Sequence, residues 1–126
     1  MTAGLFLLLV LGGGVGAALR YVVDGAIKAR THDSWFPWST AVINLTGSLA
    51  LGFLTGLIVS RIADTDVSAV VGTGLLGGYT TFSTASYETV QLAREGRVVH
   101  AFGYGFGVLV AGVALALAGY LWGSRV

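Results

Sequence analysis

Gly77-Gly78-Tyr79-Thr80-Thr81-Phe82-Ser83-Thr84 decides how this chain is read, because it sets two adjacent glycines and four Ser and Thr side chains inside residues 67–87, a run of 21 without a charge. A run of that length matches a helix crossing a bilayer, which needs about 20 mostly apolar residues. Glycine is a poor helix former, and Ser and Thr compete for backbone partners. The segment therefore predicts a crossing helix that is broken near its midpoint, at Gly77-Gly78. In hydrocarbon a break frees carbonyl and N–H groups at a cost of several kcal/mol each unless something polar meets them. Broken helices at that depth mark ion and substrate sites. The alternative is a kinked helix whose hydroxyls bond back to their own turn.

Three further charge-free runs flank this one, at residues 1–19, 34–60 and 98–124, and the four together take 94 of 126 residues. Composition agrees: 55% of the residues are hydrophobic, mean hydropathy is +0.82, and only 10% are charged, where soluble domains carry about 25%. So few charges do not cover a water-facing surface. The expected fold is all-α, one domain over residues 1–126 with four membrane-crossing helices, near residues 4–27, 37–61, 67–94 and 98–124. Pro37 suits the first turn of the second. Asp64 and Asp66 make the second turn, and Arg94-Glu95-Gly96-Arg97 makes the third loop. The first run has no basic leader region and no A-x-A site, so it is counted as a span and not as a cleaved signal.

Several functions drop out. The chain has no cysteine, and His32 and His100 have no neighbours at metal-ligand spacing. A net charge of +1 without a basic run gives nucleic acid no electrostatic footprint. No histidine–carboxylate pair stands at helical spacing and no phosphate loop is present, so enzyme chemistry has no support. Loops one and three carry Lys28, Arg30, Arg94 and Arg97, against Arg61, Arg125 and the amino terminus on the other side. That bias is weak under the positive-inside rule, and a weak bias permits insertion in both orientations.

Small residues four apart let helices pack closely in lipid. They occur as Gly12/Gly16, Ser48/Gly52/Gly56, Gly74/Gly78 and Gly103/Gly107, one set in each span. A bundle of four such helices fills its own centre with side chains, so any pathway is expected between subunits. Polar side chains at membrane depth are the candidates for lining it. Asn44, near the middle of the second span, either meets an ion or bonds a neighbouring helix. Thr81, Thr84 and Glu88 fall at i, i+3 and i+7, a polar stripe running from the break toward one interface, with the Phe82 ring beside it offering a positive edge. Arg20 tilts the reading toward anions and Glu88 the other way.

The chain resembles the Fluc (CrcB) fluoride channels of bacteria. The likeness rests on Gly-Ala-Ala-Leu-Arg-Tyr from Gly16 to Tyr21, on Pro37-Trp38-Ser39-Thr40 followed by Asn44 and Gly47-Ser48, on the Gly77 to Thr84 stretch with Glu88, and on Glu95-Gly96-Arg97 ahead of Tyr104. It covers all four spans in order. The resemblance implies a multi-pass protein of the bacterial plasma membrane, assembled as an antiparallel, dual-topology dimer. Two fluoride pores would run along the subunit interface, and a structural sodium ion would sit on the two-fold axis. By the same analogy Gly77 and Thr80 give backbone carbonyls to sodium, and Arg20 and Thr40 line an aqueous vestibule. Asn44, Phe82 and Tyr104 surround the desolvated part of the pore, and Ser83, Thr84 and Glu88 form a polar track beyond it.

Two positions depart from that pattern. A second phenylalanine is usual three residues after the first, where this chain has Ala85, and a serine is frequent one turn after the fourth-span tyrosine, where it has Val108. The partner is then either a second copy or a sister chain that restores the missing groups. Two other functions compete. A small multidrug transporter of four spans needs a carboxylate within its first span, and the first acidic residue here is Asp24, near that span's end. A non-conducting assembly subunit would leave Asn44 and the Thr80–Thr84 segment without a reason to be polar.

Overall fold

The computed structural model covers Met1–Val126 and is helical throughout. Helix α1 (Ala3–Thr31) begins where the Thr2 hydroxyl accepts the Leu5 N–H, and Lys28 and Arg30 sit in its last turn, the end a helix dipole favours for cations. Helix α2 (Trp38–Val59) starts directly after Pro37, as a residue lacking an N–H allows. A tight turn through Arg61, which takes a left-handed φ of 63°, leads to the third segment. Helix α6 (Val98–Gly123) follows a turn at Gly96, whose φ of 81° is easily reached only without a side chain.

The third segment is built in pieces. A single α turn, α3 (Thr65–Val67), is capped by the Asp64 carboxylate on the Val67 N–H at 2.9 Å. A π-helix, Ser68–Leu76, continues from it, followed by a second α turn, α4 (Gly77–Tyr79). Thr80 and Thr81 are extended, and helix α5 (Phe82–Arg94) begins beyond them. The interruption predicted at Gly77-Gly78 thus falls three residues later. Gly77 is helical (φ −63°, ψ −39°), and Gly74 and Gly78 serve packing: a Cβ on Gly78 would run into the Gly13 carbonyl of α1, and one on Gly74 would come within 2.7 Å of the Leu9 carbonyl. Three helices, α1, α2 and α6, are long and apolar enough to cross a membrane as continuous rods; the broken segment is the fourth element of the bundle.

The break changes the segment's neighbour. Its first half lies along α1, its second half along α6, and α2 pairs most extensively with α6. Most of the small-residue sets found in the sequence mark these seams. Gly12 and Gly16 meet the backbone of Val70, Leu75 and Tyr79, while Gly52, Gly56, Gly119 and Gly123 bring α2 and α6 into backbone contact. Gly103 and Gly107 have no neighbour within 4 Å inside the chain. Only 16 of 126 residues are buried, and large apolar side chains such as Phe6, Leu11, Val113 and Leu117 point outward, the arrangement of a protein solvated by lipid tails.

Candidate functional site

The centre of the site is the Asn44 amide. Its Nδ2 donates to the Thr81 carbonyl at 2.7 Å and its Oδ1 accepts the Thr81 N–H at 2.8 Å. One side chain from α2 thereby closes both backbone groups of a residue that has left the helix, and the extended conformation is held where lipid supplies no alternative partner. Of the two roles open to Asn44 in the sequence, the bond to a neighbouring segment is made. One amide hydrogen remains for another acceptor.

Holding Thr81 in this way frees carbonyls upstream. The N–H that would have closed the turn on the Gly77 carbonyl is committed to Asn44, and the Thr80 carbonyl receives no backbone donor. The Thr80 N–H and hydroxyl both donate to Leu76 O, each at 2.9 Å, and finish the first half of the segment. Downstream, the Thr81 hydroxyl caps α5 by accepting the Thr84 N–H at 3.2 Å. It also lies 3.1 Å from the Thr84 hydroxyl and 3.3 Å from that of Ser83. The predicted stripe starts here as a cluster of three hydroxyls.

The stripe's far end is held from α2. The Thr40 hydroxyl donates to the Glu88 carboxylate, and its neighbour Ser39 donates to Asp24, which also pairs with Lys28 at 3.2 Å. Thr40 is 2% exposed, so it stands against the end of the track. Arg20 makes no ion pair or hydrogen bond, and its Nε is buried without a partner. The sequence names Ser39 and Asp24 but gives neither a site role; a hydroxyl in the first turn of α2, facing the end of α1, is the signal for their pairing.

Tyr104 is fixed by a small apolar cluster of Ala41, Leu92 and Ala101, with Phe36 and Val108 packed on it. Its ring meets Phe36 edge to face at 5.4 Å. The residue is 1% exposed, and its hydroxyl has no hydrogen-bond partner. Phe82 is the opposite case, 87% exposed at the start of α5. Asn44, Thr80, Thr81, Phe82 and Tyr104 line one open groove of about 760 Å³, and the two departing residues, Ala85 and Val108, line it as well. Ser83, Thr84 and Glu88 are not part of that wall; they continue α5 beyond it.

Such a groove offers an ion a hydroxyl, an amide hydrogen and a ring edge against apolar walls, and no cluster of His, Asp or Glu suited to a transition metal accompanies it. Residues 7–120 match the family described as CrcB-like protein, Camphor Resistance (CrcB). Similar proteins include the fluoride-specific ion channel FluC 1 of Streptomyces avermitilis, 44% identical with 90% of this chain and 91% of the relative aligned. The fluoride-specific ion channel FluC of Thermus thermophilus is 40% identical over 96% of each chain. That of Aquifex aeolicus is 37% identical over 98% of this chain and 99% of its own.

Proposed function

We infer, from the premise that the chain belongs to the CrcB family, that it is a subunit of a passive, fluoride-selective ion channel of the bacterial plasma membrane, exporting fluoride and carrying out no enzymatic step. The observation that carries this reading is the groove wall itself, on which the Asn44 amide, with one hydrogen to spare, stands with the exposed Phe82 ring and Tyr104. A spare amide hydrogen inside a membrane protein costs free energy unless an ion or water meets it. Fluoride, small and strongly hydrated, gives up water only for donors placed close at hand. Here these are the remaining Asn44 N–H and the positive edge of Phe82, with Tyr104 on the same wall.

An open groove becomes a pore when a second chain covers it. We propose an antiparallel, dual-topology dimer with two such pores, in keeping with the near balance of Lys and Arg between the two sides. Beyond the apolar stretch the ion would meet Ser83 and Thr84, then the end of the track where Thr40 holds Glu88. Arg20 would serve the vestibule by raising the local potential. The break would lie near the bilayer midplane.

The Gly77 and Thr80 carbonyls suit a sodium ion: hard oxygen donors without backbone partners, in a segment whose conformation is held from α2. Bound there, sodium would neutralise carbonyl charge between the two chains and serve structure only. That Ala85 and Val108 both line the groove also supports a second form of the assembly, in which the partner is a sister chain that brings polar or aromatic groups to the same wall.

The test is ion efflux from liposomes holding this chain alone. Fluoride should leave and chloride should stay. Equal rates for both ions, or a sealed bilayer with correctly assembled dimer, would remove the channel reading in favour of a transporter or a non-conducting assembly subunit. Efflux that appears only with a sister chain would establish the heteromeric form.

A further inference from the structure

We propose that Tyr79 and Thr46 form a latch that fixes the Thr80 carbonyl and so sets the affinity of the helix break for its cation; the inference rests on the sodium reading above. Asn44 holds the break only from its downstream side, at Thr81. The upstream side has its own attachment to α2, one half-turn further along that helix. Tyr79 Oη and Thr46 Oγ1 are 3.0 Å apart. The direction of this bond follows from the single proton of Thr46, which is committed to its own turn at Val42 O, 2.7 Å away. Tyr79 is therefore the donor.

Gly47 completes the seat. A Cβ there would collide with the Thr80 methyl and lie 3.5 Å from the Tyr79 ring. Its absence lets both side chains rest on the α2 backbone. The Thr80 hydroxyl, turned onto Leu76 O, orients the methyl into that notch. Thr80 is thus held on three sides: Tyr79 before it, Gly47 beneath it and Asn44 after it. A carbonyl fixed between two anchored residues loses little freedom when it binds an ion, and one anchored on one side loses more. Thr46 is exposed in the single chain, so in lipid its hydroxyl and that of Tyr79 gain most by meeting each other.

Two conservative variants separate this from packing. Tyr79→Phe removes the donor and Thr46→Val the acceptor, each with nearly unchanged shape. Fluoride efflux is measured from dimers prepared without sodium, in N-methylglucamine, and titrated with sodium chloride. Each variant should raise the sodium midpoint about fivefold, the worth of one net hydrogen bond, with the rate at saturating sodium unchanged. The double variant should be no worse than either single one. Thr55→Val, whose hydroxyl bonds only Leu51 O of its own turn, should leave the midpoint in place. A wild type indifferent to sodium would overturn the sodium reading and the latch with it. A sodium-dependent wild type whose midpoint neither variant moves, or single effects that add in full, would overturn the latch alone.

Discussion

The two halves of the broken segment share one span and little else. Before Thr80 the chain is a π-helix and an α turn whose glycines press against the backbone of α1; after Thr81 it is an α-helix bearing hydroxyls and a carboxylate along α6. The first half is mostly apolar and held chiefly by close approach, with the single Tyr79–Thr46 bond to α2 at its end; the second is amphipathic and held by hydrogen bonds from α2. A membrane protein has two ways to hold helices together without the hydrophobic effect, small residues and polar pairs, and this segment uses one on each side of its break. Changes before the break should act on assembly, and changes after it on conduction.

Asn44→Asp tests the junction and should have the largest effect. The carboxylate keeps an acceptor for the Thr81 N–H but loses the donor to the Thr81 carbonyl, and it places a negative charge on the groove wall. Two like charges about 4 Å apart repel by roughly 4 kcal/mol at an effective dielectric of about 20, which as a barrier to an anion is roughly a hundredfold or more in rate. Fluoride efflux should fall to background. Unchanged efflux would mean that the path does not pass Asn44.

Gly16→Ala tests the packing half. Its Cβ would be built into the Leu75 carbonyl and within 2.9 Å of the Tyr79 N, and backbone on both sides has little room to yield. Overpacking of this kind costs about 1–3 kcal/mol, so the protein should melt at lower temperature in detergent by circular dichroism. Gly14→Ala on the same helix, with nothing within 4 Å, should melt as the wild type does. Equal losses in both would show that the cost lies in lipid or subunit contacts and not in the seam, since alanine itself favours the helix.

Phe82→Ile tests the conducting half. The ring is almost wholly exposed in the single chain, so its replacement removes no intrachain packing, and melting should stay unchanged. Efflux should drop about tenfold, the upper range of an aromatic edge contact. Full efflux in this variant would exclude the ring edge from the ion path.

Sequence reading located the spans because charge placement is unambiguous in lipid: each turn must carry what the hydrocarbon rejects. It also found the members of the groove, Asn44, Phe82 and Tyr104, since polar and aromatic groups at that depth need a reason to be there. It misplaced the break. Glycine's low helix propensity pointed to Gly77-Gly78, but propensity is a weak prior when a neighbouring helix offers a seam: Gly77 stays helical, and α1 uses the missing side chain of Gly78. What breaks the helix is a hydrogen bond across 37 residues of sequence, from Asn44 to Thr81, and local pattern carries no record of such a partner. The Tyr79–Thr46 pair was hidden for the same reason.

Each half also has its own cap, and the smallest expected effect compares them. Asp64 caps the first half through the Val67 N–H, and Thr81 caps the second through the Thr84 N–H. Asp64→Ala removes a cap at the water-facing start of the segment and should cost about 1 kcal/mol, seen as a small fall in melting temperature. Fluoride efflux at room temperature should not change, because α1 still holds the π-helix in place. Thr81→Val removes a cap of the same chemistry, yet its hydroxyl also joins Ser83 and Thr84. It should lower efflux as well as stability. A matching loss of efflux in Asp64→Ala would show that the two halves move as one body and that the break does not separate packing from conduction.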